Sequence, residues 1–136
     1  MNFSIDRTEA VMLKRALLAN AAFSTISGLL IVVFDQRIAA LIGGVELQLW
    51  PIGAMLLGFG AYLAWFATRR TVNSASVISV IVSDFAWVAG TVILLVGWHS
   101  VISVAGLWLL AVIGAVVFLL AELQWIGLRR LQSSIG

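Results

Sequence analysis

The chain has 136 residues, 62% of them hydrophobic and 10% charged, against roughly 45–50% apolar and about 25% charged in soluble domains. That balance excludes a soluble globular domain, and at about 20 apolar residues per transmembrane helix the apolar content is roughly what four spans consume. The formal charge of +2 comes with no basic stripe of the kind a nucleic-acid surface needs, so nucleic acid is not expected as a partner. The chain contains no cysteine, which excludes disulfides, thiolate metal sites and cysteine nucleophiles.

In chain order, residues 1–15 carry both signs of charge, with Asp6 three positions before Glu9 in a helix-capping pattern. The first apolar run, Ala16 to Phe34, is long enough to span a bilayer and too long for the core of a signal peptide. The Ala19-Asn20-Ala21 triplet imitates a cleavage site but comes too early in that run, so the first helix reads as uncleaved. Next comes DQRIAALIGG, with Asp35, Gln36 and Arg37 on one side and Ile38, Leu41 and Ile42 at helical spacing. This predicts a short interfacial helix after span one, ended by Gly43-Gly44. The single proline, Pro51, opens the second span, Pro51 to Thr68, as a first helical turn allows. Arg69-Arg70 and TVNSAS form a loop, the third span is Val77 to Trp98, and His99-Ser100 makes a tight turn. The fourth span runs from Val101 to Leu128 and ends in Arg129-Arg130.

Seven of the eight basic residues then fall on one side: Arg7, Lys14, Arg15, Arg69, Arg70, Arg129 and Arg130, with Arg37 alone opposite. The positive-inside rule places both termini in the cytoplasm, in a cytoplasmic (inner) membrane, with Arg15, Arg69, Arg70, Arg129 and Arg130 as topology anchors. Trp65 and Trp125 fall at the inner interface and Trp50 and Trp98 at the outer one. The segment AYLAWFATRR at 61–70 aligns with AELQWIGLRR at 121–130, and Asn20, Phe23 and Ser27 align with Asp84, Trp87 and Thr91. Convergence at membrane interfaces would produce a similar Trp and Arg-Arg pattern. The expected fold is an all-α integral membrane protein of one domain, a four-transmembrane-helix bundle built as two tandem parallel-oriented hairpins. Repeat one covers about 12–70 and repeat two about 76–130.

Two acids lie inside the spans, Asp84 and Glu122. Each costs roughly 2.5 kcal/mol or more at the bilayer centre, which makes intramembrane acids functional candidates. Asp84 is seven residues past Val77 and Glu122 seven before Arg129, so both lie about 10 Å in from one side at 1.5 Å per residue. Their repeat counterparts Asn20 and Tyr62 share that depth, predicting a four-membered polar layer with one member from each helix. Stripes of small and polar residues aim the layer inward: Asn20, Ser24, Ser27 and Gly28 in span one, and Ala54, Gly58, Tyr62 and Trp65 in span two. In span three the stripe is Ser76, Ser79, Ser83, Asp84, Trp87, Gly90 and Thr91; in span four it is Trp108, Ala111, Ala115, Phe118, Glu122 and Trp125.

Three readings of that layer compete. Its members hydrogen-bond helix to helix as structural glue. Alternatively, they form a path or site for a proton, a cation or a small polar ligand. In the third, Trp87, Phe118 and Trp125 line a cleft for a lipid, quinone or pigment whose headgroup the layer holds. No cofactor is indicated, and no metal site: His99, the one histidine, lies in an outer turn without a second ligand nearby. Lys14 lies at an interface, so no Schiff-base lysine sits within the bundle, and the serines of the spans lack a histidine base. The outer half offers only Thr91, Ser103 and Trp108 as scattered polar groups, which is no water path. The expectation is therefore a small non-enzymatic accessory or assembly subunit. Its partners would be the lipid bilayer and other membrane-protein subunits or a second copy of itself, with a carrier or channel as the alternative.

Overall fold

The computed structural model describes residues 2–4, 10–42 and 48–135. It contains five helices: α1 (Val11–Val33), α2 (Asp35–Ile42), α3 (Trp50–Ala67), α4 (Ser74–Gly97) and α5 (Val104–Ile135). Four of these, all but α2, are long and apolar enough to cross a membrane. The chain is thus an all-α bundle of multi-pass membrane type. Two three-residue strands, β1 (Asn2–Ser4) and β2 (Thr71–Asn73), pair antiparallel with Phe3 opposite Val72. This pairing brings the start of the chain to the α3–α4 connection, at the same end of the bundle as the close of α5.

Local chemistry explains where each helix starts and stops. Asn73 caps α4, its side chain accepting from the Ala75 N–H at 2.9 Å. Span three accordingly begins at Ser74, three residues before the expected Val77. Phe34 alone separates α1 from α2, its N–H still bonding Leu30 O while its own carbonyl accepts from Ile38 N. Asp35 opens α2, where an acid suits the helix dipole, and its Oδ1 accepts from the Leu49 N–H at 2.7 Å, fixing the approach to α3. The interfacial helix is therefore present as expected. Its predicted Gly43-Gly44 stop, like the Asp6–Glu9 cap, lies outside the described residues.

α1 packs most extensively on α3, and α4 on α5, so each consecutive pair of spans forms a hairpin; α1 also packs on α5. At the end holding the two strands, all four long helices share one apolar core. Leu13 and Leu17 of α1, Leu63 and Phe66 of α3, Val77, Val80 and Ile81 of α4, and Leu128 and Leu131 of α5 are buried in it. Lipid tails are as apolar as these side chains, so such a core holds through close packing and not through exclusion of water. At the opposite end the hairpins are joined by α2. The Ser103 N–H donates to Ile42 O at 2.7 Å and its hydroxyl donates to Leu41 O, while Gly106 of α5 lies against the Ile42 backbone.

Candidate functional site

One turn beyond Ile81, the apolar core gives way to a buried polar cluster. Asn20 of α1 donates from Nδ2 to Asp84 Oδ2 at 2.6 Å, and Gln124 of α5 donates from Nε2 to the same oxygen at 2.9 Å. Ser24, one turn along α1, donates to Asn20 Oδ1 at 3.2 Å, and Gln124 Nε2 also donates to Leu120 O at 2.9 Å. Asn20, Ser24, Asp84 and Gln124 are all buried. Three helices from both hairpins thus converge on one carboxylate oxygen. Two amide donors on a carboxylate are the arrangement that makes a buried acid tolerable in a low-dielectric interior. Gln124 Oε1 is the exception, buried and without a hydrogen-bond partner.

The expected layer of Asn20, Tyr62, Asp84 and Glu122 is therefore only half assembled. Asn20 and Asp84 meet directly, while Tyr62 is 42% exposed on the outer face of α3, its ring stacked on Phe66 at 5.8 Å and tilted to Trp65 at 6.2 Å. Glu122 is half-buried and makes no bond to the cluster; its place is taken by Gln124. Two positions along a helix lie about 200° apart, so Glu122 and Gln124 cannot both face the interior.

The same rotation displaces three of the four predicted stripes. On α3, Ala54, Gly58, Tyr62 and Trp65 are exposed, and the inward face is Gly53, Gly60, Leu63, Phe66 and Ala67. On α5, Trp108, Ala111, Ala115, Phe118 and Trp125 face outward, and Gly114, Val117, Ala121, Gln124 and Leu128 face in. On α4, Ser79, Ser83 and Gly90 are exposed while Asp84 and Thr91 are buried. Ser79 and Ser83 donate instead to the carbonyls of Ser76 and Ser79, at 2.7 and 2.8 Å. A hydroxyl satisfied within its own helix no longer needs an interior site. Only the α1 stripe stands as expected, with Asn20, Ser24 and Gly28 buried and Ser27 half-buried.

Neither of two surface grooves is lined by Trp87, Phe118 or Trp125. Trp87 is half-buried, Phe118 meets Phe85 edge-on at 5.9 Å, and Trp125 lies on the surface beneath the Arg129 guanidinium at 5.7 Å. Arg69 covers Trp65 in the same way at 4.6 Å, so the Trp and Arg four residues on in each hairpin form a cation–π pair. Arg15, Arg69, Arg70, Arg129 and Arg130 are exposed at the end where the strands pair. His99 is exposed in the α4–α5 connection, its Nδ1 2.9 Å from Val96 O. Among the described residues, no group of three His, Cys, Asp or Glu side chains is placed to hold a metal ion.

The signal that would have found Gln124 is the run Gly114, Val117, Ala121, Gln124, Leu128, a helical stripe whose small members permit close approach. No known family, curated protein or solved structure matches this chain. Its functional reading therefore rests on its own residues.

Proposed function

We propose that this small integral membrane protein is a non-enzymatic accessory or assembly subunit that packs against a larger membrane complex, with both termini on the cytoplasmic side of a cell membrane. The observation that carries the reading is the closure of its polar interior. Asn20 and Gln124 both donate to Asp84, and none of the three lines either of two surface grooves, one beside Arg15 and Arg130 and one beside Asp35 and Arg37. Polar groups so arranged act as helix-to-helix glue. The surface available to a partner is apolar on both hairpins and most exposed on the second, where Val96 is 71%, Val104 73% and Trp108 70% exposed. Purification from native membranes in mild detergent is expected to yield the chain within a larger assembly. Recovery as a lone monomer would sink the proposal.

One observation favours a second reading, a proton or small-cation carrier: the unpartnered Gln124 Oε1 beside Asp84 is an open acceptor inside the bundle. Relays of intramembrane acids mark such pathways. Proteoliposomes separate the two. Under the accessory reading, the purified chain shows no proton or cation flux at any pH. Flux that disappears in Asp84→Asn, with the protein still folded, would replace that reading with the carrier.

A further inference from the structure

A groove of about 610 Å³ runs between the first turns of α1 and the last turns of α5, away from the polar cluster. Arg15 and Arg130 stand on it, and its other lining includes Met12, Ala16, Ala19 and Leu123. We infer that this groove binds one anionic glycerophospholipid, its phosphate held by Arg15 and Arg130 and an acyl chain lying along Ala16, Ala19 and Leu123.

α1 and α5 run in opposite directions and meet where Gly127 lies against Leu13, close enough that a Cβ on Gly127 would sit 3.1 Å from the Leu13 backbone. Arg130 is thus nearly one turn nearer the bundle end than this contact, and Leu123 about one turn deeper. Val11 and Met12 lie toward the end beside Arg130, and Arg15 is about 3 Å deeper than the Gly127–Leu13 contact at 1.5 Å per residue. The deepest lining, Ala16, Ala19 and Leu123, is wholly apolar, so a phosphate between the two arginines would leave an apolar floor for a tail. From Arg15 to Ala19 the apolar floor descends about 6 Å at 1.5 Å per residue.

Charge decides the ligand. Both guanidinium groups are exposed, and neither pairs with a carboxylate of the described residues. Arg130 Nη1 instead approaches Met12 Sδ at 3.9 Å, which holds its head over the groove floor. No acid is among the described residues that line it. A planar guanidinium matches phosphate oxygens in pairs, and basic pockets between helices at one membrane surface bind acidic headgroups. A zwitterionic headgroup would bring its ammonium to two cations with no carboxylate of the described residues lining the groove to receive it. A free phosphate would leave the alanine-lined floor unused. Ala16 and Ala19 also matter by their size, since longer side chains there would fill the space an acyl chain takes.

The test uses the full chain in detergent, titrated separately with phosphatidylglycerol, phosphatidylcholine and inorganic phosphate, and read by native mass spectrometry and tryptophan-monitored thermal unfolding. The expected result is a single retained phosphatidylglycerol with a raised Tm, a weaker effect of phosphatidylcholine and none of phosphate. At roughly fivefold per arginine near a membrane surface, the R15Q–R130Q pair should weaken phosphatidylglycerol binding by about thirtyfold. A19L, which fills the groove without changing charge, should also lose the bound lipid. R69Q–R70Q removes the same charge from the same end but outside the groove, and should bind as the unmodified chain does. Equal affinity for the two lipids, equal loss in R69Q–R70Q and R15Q–R130Q, or phosphate alone binding as tightly as the lipid would each overturn the proposal.

Discussion

Between α1 and α3 the backbones meet through glycine, whereas between α4 and α5 a threonine methyl faces a glycine. A Cβ at Gly28 would stand 2.7 Å from Gly53 O and 2.8 Å from Leu57 N, and one at Gly60 would strike Thr25. At Gly114 the nearest atom would be the Thr91 methyl at 3.1 Å. Backbone cannot yield as a methyl can, so the first hairpin is locked and the second has slack. The most exposed apolar side chains, Val104, Val96 and Trp108, also lie on the second hairpin. A tight hairpin and a looser one are joined at the Asn20–Asp84–Gln124 cluster, where α1 meets both helices of its neighbour.

Single substitutions put that contrast to the test. Gly28→Ala should have the largest effect, about 2–3 kcal/mol of destabilisation from overpacking against backbone, measured by denaturant unfolding in micelles with tryptophan fluorescence. A loss below about 1 kcal/mol would mean that the α1–α3 contact relaxes freely. Asp84→Ala comes next, at about 2 kcal/mol, because the Asn20 and Gln124 amides lose their shared acceptor inside the bundle. Gln124→Leu should cost less, under about 1 kcal/mol, since one of its two polar atoms is already unpartnered and leucine restores packing. Gly114→Ala should be milder still, about 1 kcal/mol or less, as the Thr91 methyl can move. Gly58 has open space around it, so Gly58→Ala is expected within about 0.5 kcal/mol of neutral, on the stabilising side. Equal losses in Gly28→Ala and Gly114→Ala would erase the distinction between the hairpins.

The two-hairpin pattern also sharpens what the internal alignment could and could not convey. Buried residues of α1 recur along α4 at the spacing that separates Asn20 from Asp84, with Leu13, Leu17 and Asn20 matched by Val77, Ile81 and Asp84. Along α3 and α5 the buried positions match one residue out of step with the alignment that pairs Trp65 with Trp125. Gly53, Gly60, Leu63, Phe66 and Ala67 correspond in order to Gly114, Ala121, Gln124, Gly127 and Leu128. Interface anchors such as Trp65 and Arg69 answer to the membrane surface, not to the helix neighbour, so they report depth and not rotation. The slip turns Leu63 and Gln124 inward and leaves Tyr62 and Glu122 outside that face.

Read by itself, the chain determined the number of spans, the short helix between the first two, and the crowding of basic residues at one end. Each of these depends on transfer into lipid, a property that apolar length and charge largely decide. It also placed Asn20 and Asp84 at a shared depth, since depth follows from counting along a helix. The rotation of each helix was decided only by the tertiary structure. In a lipid environment both faces of a span are apolar, and no contrast with water marks the inner one. Serine hydroxyls can satisfy themselves within their own helix, and an acid on a flank of its helix can sit half-exposed, as Glu122 does. What turns Gln124 toward Asp84 is the close fit of glycines against neighbouring helices, which exists only once the helices have met.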